Sequence, residues 1–222
     1  MNTLIKKWSE DAAKTLYVPI DIECGGLQHA MHNEYPEIPE GTTGAQFYPI
    51  LEITAKFYDG NFQELAEPMT FVIQHDIDDL NQRCSQWVKN QFGDTLFHEC
   101  HSSETSLEEA DKAIAKRIRS FGASKSFILG NSVDLDRSFV QFQMPEIAKS
   151  LHYRLIDVST LKTIFQDMFG SAAVYKKRET HRTELDITET MEELAFYRKN
   201  FIKSRLEVVT EMSRPKSKSK AV

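Results

Sequence analysis

The spacing of apolar residues along the chain predicts an alternation of strands and helices. Short apolar or alternating runs predict five strands, at 17–24, 48–58, 69–75, 126–130 and 154–158. The turn residues Asp59 and Gly60 separate the second strand from the third, which is typical of a β-hairpin. Apolar positions three and four residues apart predict helices, at 104–121, 135–143, 160–169 and 184–208.

This order of elements limits the architecture. Three strands come first and the later strands alternate with helices, which indicates a mixed sheet, antiparallel at first and then crossed by helices. No periodic pattern runs through 28–47, where prolines and glycines predict a long loop. The chain ends in the basic, low-complexity letters SRPKSKSKAV. We therefore expect one domain over 1–208, with 28–47 as a loop insertion, and a basic, disordered tail over 209–222.

Composition narrows the class of protein. Of the 222 residues, 41% are hydrophobic and 10% are aromatic, which is typical of a folded domain. The 27 basic and 33 acidic residues give a net charge of −6, which disfavours a broad electrostatic grip on duplex nucleic acid. No apolar run approaches the roughly 18 residues of a membrane span. The three separated cysteines form no disulfide framework and no apolar signal region opens the chain, so a cytoplasmic protein is expected.

Acidic residues stand at two places where open sheets bind ligands. Asp21 and Glu23 are two residues apart in a strand, so both carboxylates project from one face, and burial there favours a divalent metal. For this pair alone, solvated acids at a strand end are an equally good interpretation. Asp136 follows the fourth strand at the start of a helix, where ligand groups collect, although a capping role for Asp134 or Asp136 explains it as well.

His181 and Asp186 precede or begin the last predicted helix. Five residues turn a helix through roughly 500°, so both side chains reach one site only if His181 lies in the preceding loop and Asp186 in the first turn. Thr183 as N-cap fits this division. Taken alone, His181 is more simply a surface residue. Together, the four acids and the histidine predict a two-metal phosphoryl-transfer site, in which ions about 4 Å apart hold the attacking and leaving oxygens and the histidine takes a proton from water.

The order of these residues resembles that of a known group of enzymes. DxE at 21–23, N-x4-D at 131–136 and H-x4-D at 181–186 are similar to the motifs of the DEDDh, or DnaQ-like, 3′-to-5′ exonucleases. The segment MPEIAKSLHYRLIDVSTLK (144–162) resembles the oligoribonuclease signature, and the likeness covers about 17–203. It implies an α/β, RNase H-like fold with a mixed five-stranded sheet flanked by helices.

The resemblance also implies a role for individual residues. Two Mg²⁺ or Mn²⁺ ions would be held by four carboxylates, those of Asp21, Glu23, Asp136 and Asp186, with His181 as the general base. Leu27 matches a leucine that wedges between the two bases of a dinucleotide. Three residues match those that cap the 5′ phosphate: Ser132, Arg154 and Ser159. Tyr153 matches a tyrosine that reaches into the partner's site, which implies a homodimer.

Some positions depart from the family pattern. The loop over 28–47 is much longer than the few residues that the family has there, and it begins next to the expected base pocket. Where the family carries a histidine near the second base, the letters WVKNQF offer Gln91 and Phe92, and Phe92 is expected to stack on a base without reading it. These departures leave the catalytic set complete but weaken the expectation of strict dinucleotide selectivity.

The sequence therefore predicts an exonuclease that releases 5′-nucleoside monophosphates from the 3′ end of short single-stranded RNA, with dinucleotides favoured. A broader exonuclease of the same group, acting on longer single-stranded DNA or RNA, stays open as an alternative. So does a non-catalytic nucleic-acid-binding protein of the same fold. All five catalytic positions are filled, which favours an enzyme. No association with a membrane is expected.

Overall fold

A computed structural model describes residues 7–8, 10–12, 14–27, 38–176 and 182–212. The strands are β1 (Thr15–Cys24), β2 (Ile50–Asp59), β3 (Glu64–Val72), β4 (Lys125–Gly130) and β5 (Ile156–Asp157). They form one five-stranded sheet in the order β3-β2-β1-β4-β5. β1 pairs antiparallel with β2 and parallel with β4, so the predicted mixed sheet is confirmed.

Helices connect the strands and cover both faces of the sheet. They are α1 (Gly44–Phe47), α2 (Ile77–Arg83), α3 (Gln86–Phe92), α4 (Leu96–Ser102), α5 (Leu107–Ser120), α6 (Asp134–Gln143), α7 (Pro145–Ser150), α8 (Val158–Phe169), α9 (Thr183–Phe201) and α10 (Arg205–Met212). A 3₁₀ turn over Gly170–Ala173 follows α8. None of the described helices has the length and apolar character needed to cross a lipid bilayer.

The central strand β1 presents a different row of side chains to each helical layer. Leu16, Val18 and Ile20 are buried in the main core, which includes residues of α5, α6 and α7. Tyr17 points to the other face, where it packs with α8 and α9. Since successive residues of a strand alternate between faces, Asp21 and Glu23 lie on the side of α8 and α9.

The ends of several elements differ from the prediction. The predicted helix 184–208 is two helices, because the chain leaves helical geometry at 202–204. The predicted strand 154–158 is reduced to the two residues of β5. The predicted tail does not begin at 209, because α10 continues to Met212 and Val209 is buried; the rest of that tail, 213–222, lies outside the described residues.

The second half of the predicted loop 28–47 is partly helical and attached to the core. Thr43 and Gln46 form a capping box at the start of α1. The Gln143 side chain, at the end of α6, donates hydrogen bonds to the carbonyls of Ala45 at 2.7 Å and Tyr48 at 2.9 Å. The first half, 28–37, lies outside the described residues.

Candidate active site

Three of the four predicted metal ligands converge at the carboxyl end of β1. Asp21 and Glu23 project from β1, and Asp186 projects from the first turn of α9. Each of the three offers a carboxylate oxygen, and these oxygens lie within 4.8 Å of one another. Hard divalent cations such as Mg²⁺ prefer oxygen ligands of this kind. We call these three residues the carboxylate cluster.

Asp136, the fourth predicted ligand, lies in the first turn of α6 beside the carboxylate cluster. The pairing of β1 with β4 ends at Pro19, and beyond it the Asp136 Oδ1 accepts the N–H of Ile22 at 3.1 Å. This side chain is buried, and burial raises the pKa of Asp136 to about 8, with the Glu23 carboxylate adding to the effect. The protein alone therefore stabilises the negative charge of the Asp136 carboxylate poorly.

Electrostatics in the cluster favour a bound cation. Burial is the largest of the effects that raise the pKa of Glu23 to about 7; the carboxylates of Asp186 and Glu52 act in the same direction, and the Arg182 guanidinium opposes them. Negative charge is thus in excess around Glu23 in the protein without metal. A divalent cation would remove this repulsion, so the residues present fit the metal ions that the resemblance implies.

The helix that carries Asp186, α9, begins at Thr183, one residue earlier than predicted. Arg182 is the N-cap and Thr183 is the first helical residue, so the prediction that Thr183 caps the helix is wrong. The Thr183 hydroxyl instead donates to Glu52 Oε1 at 2.6 Å. Asp186 does lie in the first turn, as expected. His181 lies outside the described residues, so its role stays a prediction.

Two of the residues predicted to cap a phosphate, Ser132 and Ser159, lie together. Their hydroxyl oxygens are 3.3 Å apart. Ser132 has a φ of 50°, a left-handed conformation that is uncommon for residues other than glycine. Asp157 Oδ1 accepts the backbone N–H of Ser132 at 3.0 Å and of Ser159 at 2.8 Å. These backbone donors are engaged, so a phosphate at this position would meet the hydroxyls.

Tyr153 and Arg154 form a separate pair on the loop before β5. Tyr153 is 69% exposed and stacks on His152, with ring centroids 4.4 Å apart. The Arg154 guanidinium lies 5.3 Å from the centre of the Tyr153 ring. Within the described part of the chain, no hydrogen bond joins this guanidinium to Ser132 or Ser159. The high exposure of Tyr153 is what contact with a partner subunit would require.

An apolar cavity of about 370 Å³ adjoins the carboxylate cluster, because Glu23 belongs to both. Its walls include Leu27, which is 47% exposed, and Trp87, which is 53% exposed. The glycines after β1 allow this geometry, since a Cβ on Gly26 would lie 2.6 Å from the Tyr48 ring. A mostly apolar cavity of this volume beside charged groups is typical of a small-ligand site.

Phe92 does not reach this cavity, and the prediction that it stacks on a base is wrong. It is 4% exposed and packs in a small core with residues of α2, α3 and α4. Trp87, to which the sequence assigned no role, lines the cavity instead, and its ring meets Phe92 edge-on with centroids 6.2 Å apart. The helical period contained the signal: Val88 and Phe92 are four residues apart and share the buried face of α3, which leaves Trp87 outside that face.

Comparisons with known sequences agree with this geometry. A family model described as Exonuclease matches residues 18–194. An oligoribonuclease of Enterobacter sp. (strain 638) is 37% identical over 157 residues, which are 69% of this chain and 86% of that protein. A probable oligoribonuclease of Schizosaccharomyces pombe is 32% identical over 152 residues, 67% of this chain. The match spans only 60% of the length of the latter protein.

Solved structures of low identity share the fold. Exonuclease I of Methylocaldum szegediense has a TM-score of 0.60 at 8% identity, covering 85% of this chain and 41% of its own. Exonuclease I of E. coli, in complex with a 5cy-dA13 oligonucleotide, has a TM-score of 0.55 at 14% identity, covering 89% and 42%. These matches confirm the RNase H-like fold. With the family model covering most of the residues, the chain belongs to the exonuclease family and, within it, to the oligoribonuclease group.

Proposed function

We propose that the protein is a metal-dependent 3′-to-5′ exonuclease that hydrolyses short oligoribonucleotides to 5′-nucleoside monophosphates, with dinucleotides favoured. One observation carries this proposal: the carboxylate cluster, with its oxygens within 4.8 Å, lies directly beside an apolar cavity wide enough for a small ligand. Membership of the oligoribonuclease group supports the hydrolysis of a phosphodiester.

Four carboxylates would hold two Mg²⁺ or Mn²⁺ ions: Asp21, Glu23, Asp136 and Asp186. When bound, such ions generate a nucleophile from water at neutral pH and stabilise negative charge on the reacting phosphate. The donor set consists of oxygen atoms, which favours Mg²⁺ or Mn²⁺ over softer metals. His181 precedes the first helical residue of α9 by two positions and would take the proton from the attacking water.

The remaining residues would hold the substrate without reading its sequence. Leu27 and Trp87 offer apolar surfaces for the bases, and such contacts tolerate any base. The hydroxyls of Ser132 and Ser159 and the guanidinium of Arg154 would meet the 5′ phosphate, to which arginine binds through two parallel donors. The homodimer, through Tyr153, and the cytoplasmic location are proposals that rest on the resemblance and the composition.

The length of the preferred substrate tests this function. We expect the purified protein with Mn²⁺ to cleave a 5′-labelled dinucleotide at least about tenfold faster than a twenty-nucleotide RNA, a difference of about 1.4 kcal/mol in the barrier. Initial rates on RNA and DNA of two, three, seven and twenty nucleotides measure it. Equal rates on the shortest and longest substrates would favour the broader exonuclease, and binding without turnover would favour a binding protein.

The position of the 28–47 insertion favours the broader exonuclease as the second candidate. Leu27 lines the cavity and directly precedes this insertion, so a longer loop starts at the cavity wall. Exonuclease I of E. coli, which shares the fold, was solved in complex with a longer oligonucleotide. An enlarged or reshaped pocket would admit more than two nucleotides.

Trp87→Ala is expected to raise KM for a dinucleotide by about 5- to 150-fold, because stacking of a base on an aromatic ring contributes about 1–3 kcal/mol. Steady-state kinetics at saturating Mn²⁺ measure it. Phe142→Ala is the matched control, since Phe142 is 52% exposed and is not among the residues that line the cavity. An unchanged KM in Trp87→Ala would show that the cavity does not hold a base.

A further inference from the structure

Glu52 is a buried carboxylate that the proposed chemistry does not use. It is 1% exposed and lies on β2 directly opposite Glu23 of β1. A buried carboxylate is unfavourable unless it is paired and hydrogen-bonded. Its partners therefore indicate what this side chain does.

Glu52 binds both residues that begin α9. Its Oε2 accepts from the Arg182 guanidinium at 2.8 Å. Its Oε1 accepts from the backbone N–H of Thr183 at 3.2 Å and from the Thr183 hydroxyl at 2.6 Å. The carboxylate thus satisfies a backbone donor that the helix itself leaves without a partner, and it places negative charge at the positive end of the helix dipole.

Neighbouring residues of β2 extend this attachment along α9. Thr54 Oγ1 lies 2.6 Å from Thr183 Oγ1, and Lys56 Nζ donates to Thr188 Oγ1 at 2.9 Å. Glu52, Thr54 and Lys56 alternate along the strand and therefore share one face. We call these three residues the polar stripe. It contacts α9 on both sides of Asp186 along the helix.

We propose that Glu52 is a positioning residue for the reaction: it fixes the start of α9 so that Asp186 meets Asp21 and Glu23. This inference rests on the proposed function and deepens it. A displacement of reacting groups by about 1 Å lowers an enzymatic rate by about 10²-fold, so the fixed helix start has a direct effect on kcat.

The arrangement of Arg182 provides a matched control. The same guanidinium also binds Glu99 of α4, with two N–O distances of 3.3 Å. The Glu99 side chain is 43% exposed, whereas that of Glu52 is 1% exposed. Both carboxylates pair with Arg182, but only Glu52 also binds Thr183. Glu99→Gln therefore removes a weaker ion pair to the same guanidinium and leaves the attachment of the helix intact.

Kinetics of Glu52→Gln and Glu99→Gln test the proposal. At saturating Mn²⁺ we expect Glu52→Gln to lower kcat on a dinucleotide by about 10- to 100-fold, with KM changed by less than about threefold, because the misplaced groups act on the reacting phosphate and not on the bases. Glu99→Gln should change kcat by less than about twofold, since exposed ion pairs contribute little. Thr183→Val, which replaces the hydroxyl with a methyl group, should also lower kcat. The double variant should have the same kcat as Glu52→Gln alone.

Hydrogen exchange provides a readout that does not depend on activity. Mass spectrometry of a peptide spanning 182–190 should show at least about tenfold faster exchange in Glu52→Gln than in wild type, with the α5 peptide unchanged, because only local opening is affected. Wild-type kcat in both Glu52→Gln and Thr183→Val, or a loss of kcat without faster exchange in 182–190, would overturn the proposal. If the wild type cleaves no oligonucleotide, the proposed function fails, and unchanged exchange in 182–190 would separately overturn the positioning role.

Discussion

Replacing Asp21 with asparagine is expected to change activity and stability in opposite directions. Asp21 shares the carboxylate cluster with Glu23 and Asp186, so asparagine removes one of the charges proposed to hold metal. We expect kcat/KM to fall by about 10³-fold or more, because metal ions contribute several kcal/mol to the stabilisation of the transition state. Without metal, the same substitution relieves repulsion among carboxylates. We expect the Tm to rise by about 2–4 °C, which corresponds to about 1 kcal/mol for a chain of this size.

The size of the expected rise in Tm of Asp21→Asn depends on the pH. Burial raises the pKa of Glu23 to about 7, so at pH 8 this carboxylate is mostly ionised in the folded protein and repels the other carboxylates of the cluster, Asp21 and Asp186. As the pH falls through about 7, Glu23 takes up a proton in the folded state and the advantage of Asp21→Asn shrinks. In thermal unfolding with EDTA, the Tm of Asp21→Asn should therefore exceed that of wild type by more at pH 8 than at pH 5.5.

A nearby acid provides the control for this experiment. Asp134 is exposed, lies in the same acidic segment as Asp136, and does not belong to the carboxylate cluster. Asp134→Asn should leave kcat/KM unchanged and should not raise the Tm in EDTA. Mn²⁺ should raise the Tm of wild type and of Asp134→Asn, and it should raise the Tm of Asp21→Asn much less. Wild-type activity in Asp21→Asn, or a lower Tm in EDTA, would contradict the proposed site.

The sequence predicted the acidic residues of the site because their placement depends on local rules. Alternation along a strand brings Asp21 and Glu23 to one face, and a helix start after β4 holds Asp136. The structure brings Asp21 and Glu23 together with Asp186, although Asp186 is far from β1 in the sequence. No local pattern says which helix end faces which strand, so that last step rested on treating the acids as one metal-binding set, which the resemblance to a family then supported.

The incorrect predictions arose where a contact between distant residues overrides a local preference. Thr183 is a good N-cap residue, but its hydroxyl binds Glu52, which is 131 positions away. The start of β3 at Glu64 was missed because Pro68 argues against a strand; β3 is an edge strand, where proline is tolerated. The helices α2, α3 and α4 have only seven residues each and were not predicted. Phe92 was assigned to the base pocket from the resemblance to a family, although its spacing of four residues from Val88 places it on the buried face of α3.

His181→Ala is expected to lower kcat by about 10²- to 10⁴-fold, the range that a general base contributes. It should leave the rise in Tm caused by Mn²⁺ unchanged, because all four proposed metal ligands remain. Steady-state kinetics and thermal unfolding, each with saturating Mn²⁺, measure the two quantities. His98→Ala is the control, since His98 is exposed on α4 and should be silent in both measurements.

His181→Ala and Asp21→Asn together distinguish the two parts of the proposed chemistry. Asp21→Asn should lose both activity and stabilisation by Mn²⁺, whereas His181→Ala should lose activity alone. Saturating Mn²⁺ also removes the dependence on the protonation of Glu23, because the metal competes with the proton. We then expect the fall in kcat of wild type at acid pH to disappear in His181→Ala, because a general base must be unprotonated to accept the proton. If His181→Ala instead abolishes stabilisation by Mn²⁺, the histidine holds the metal and the proton must leave the attacking water by another route.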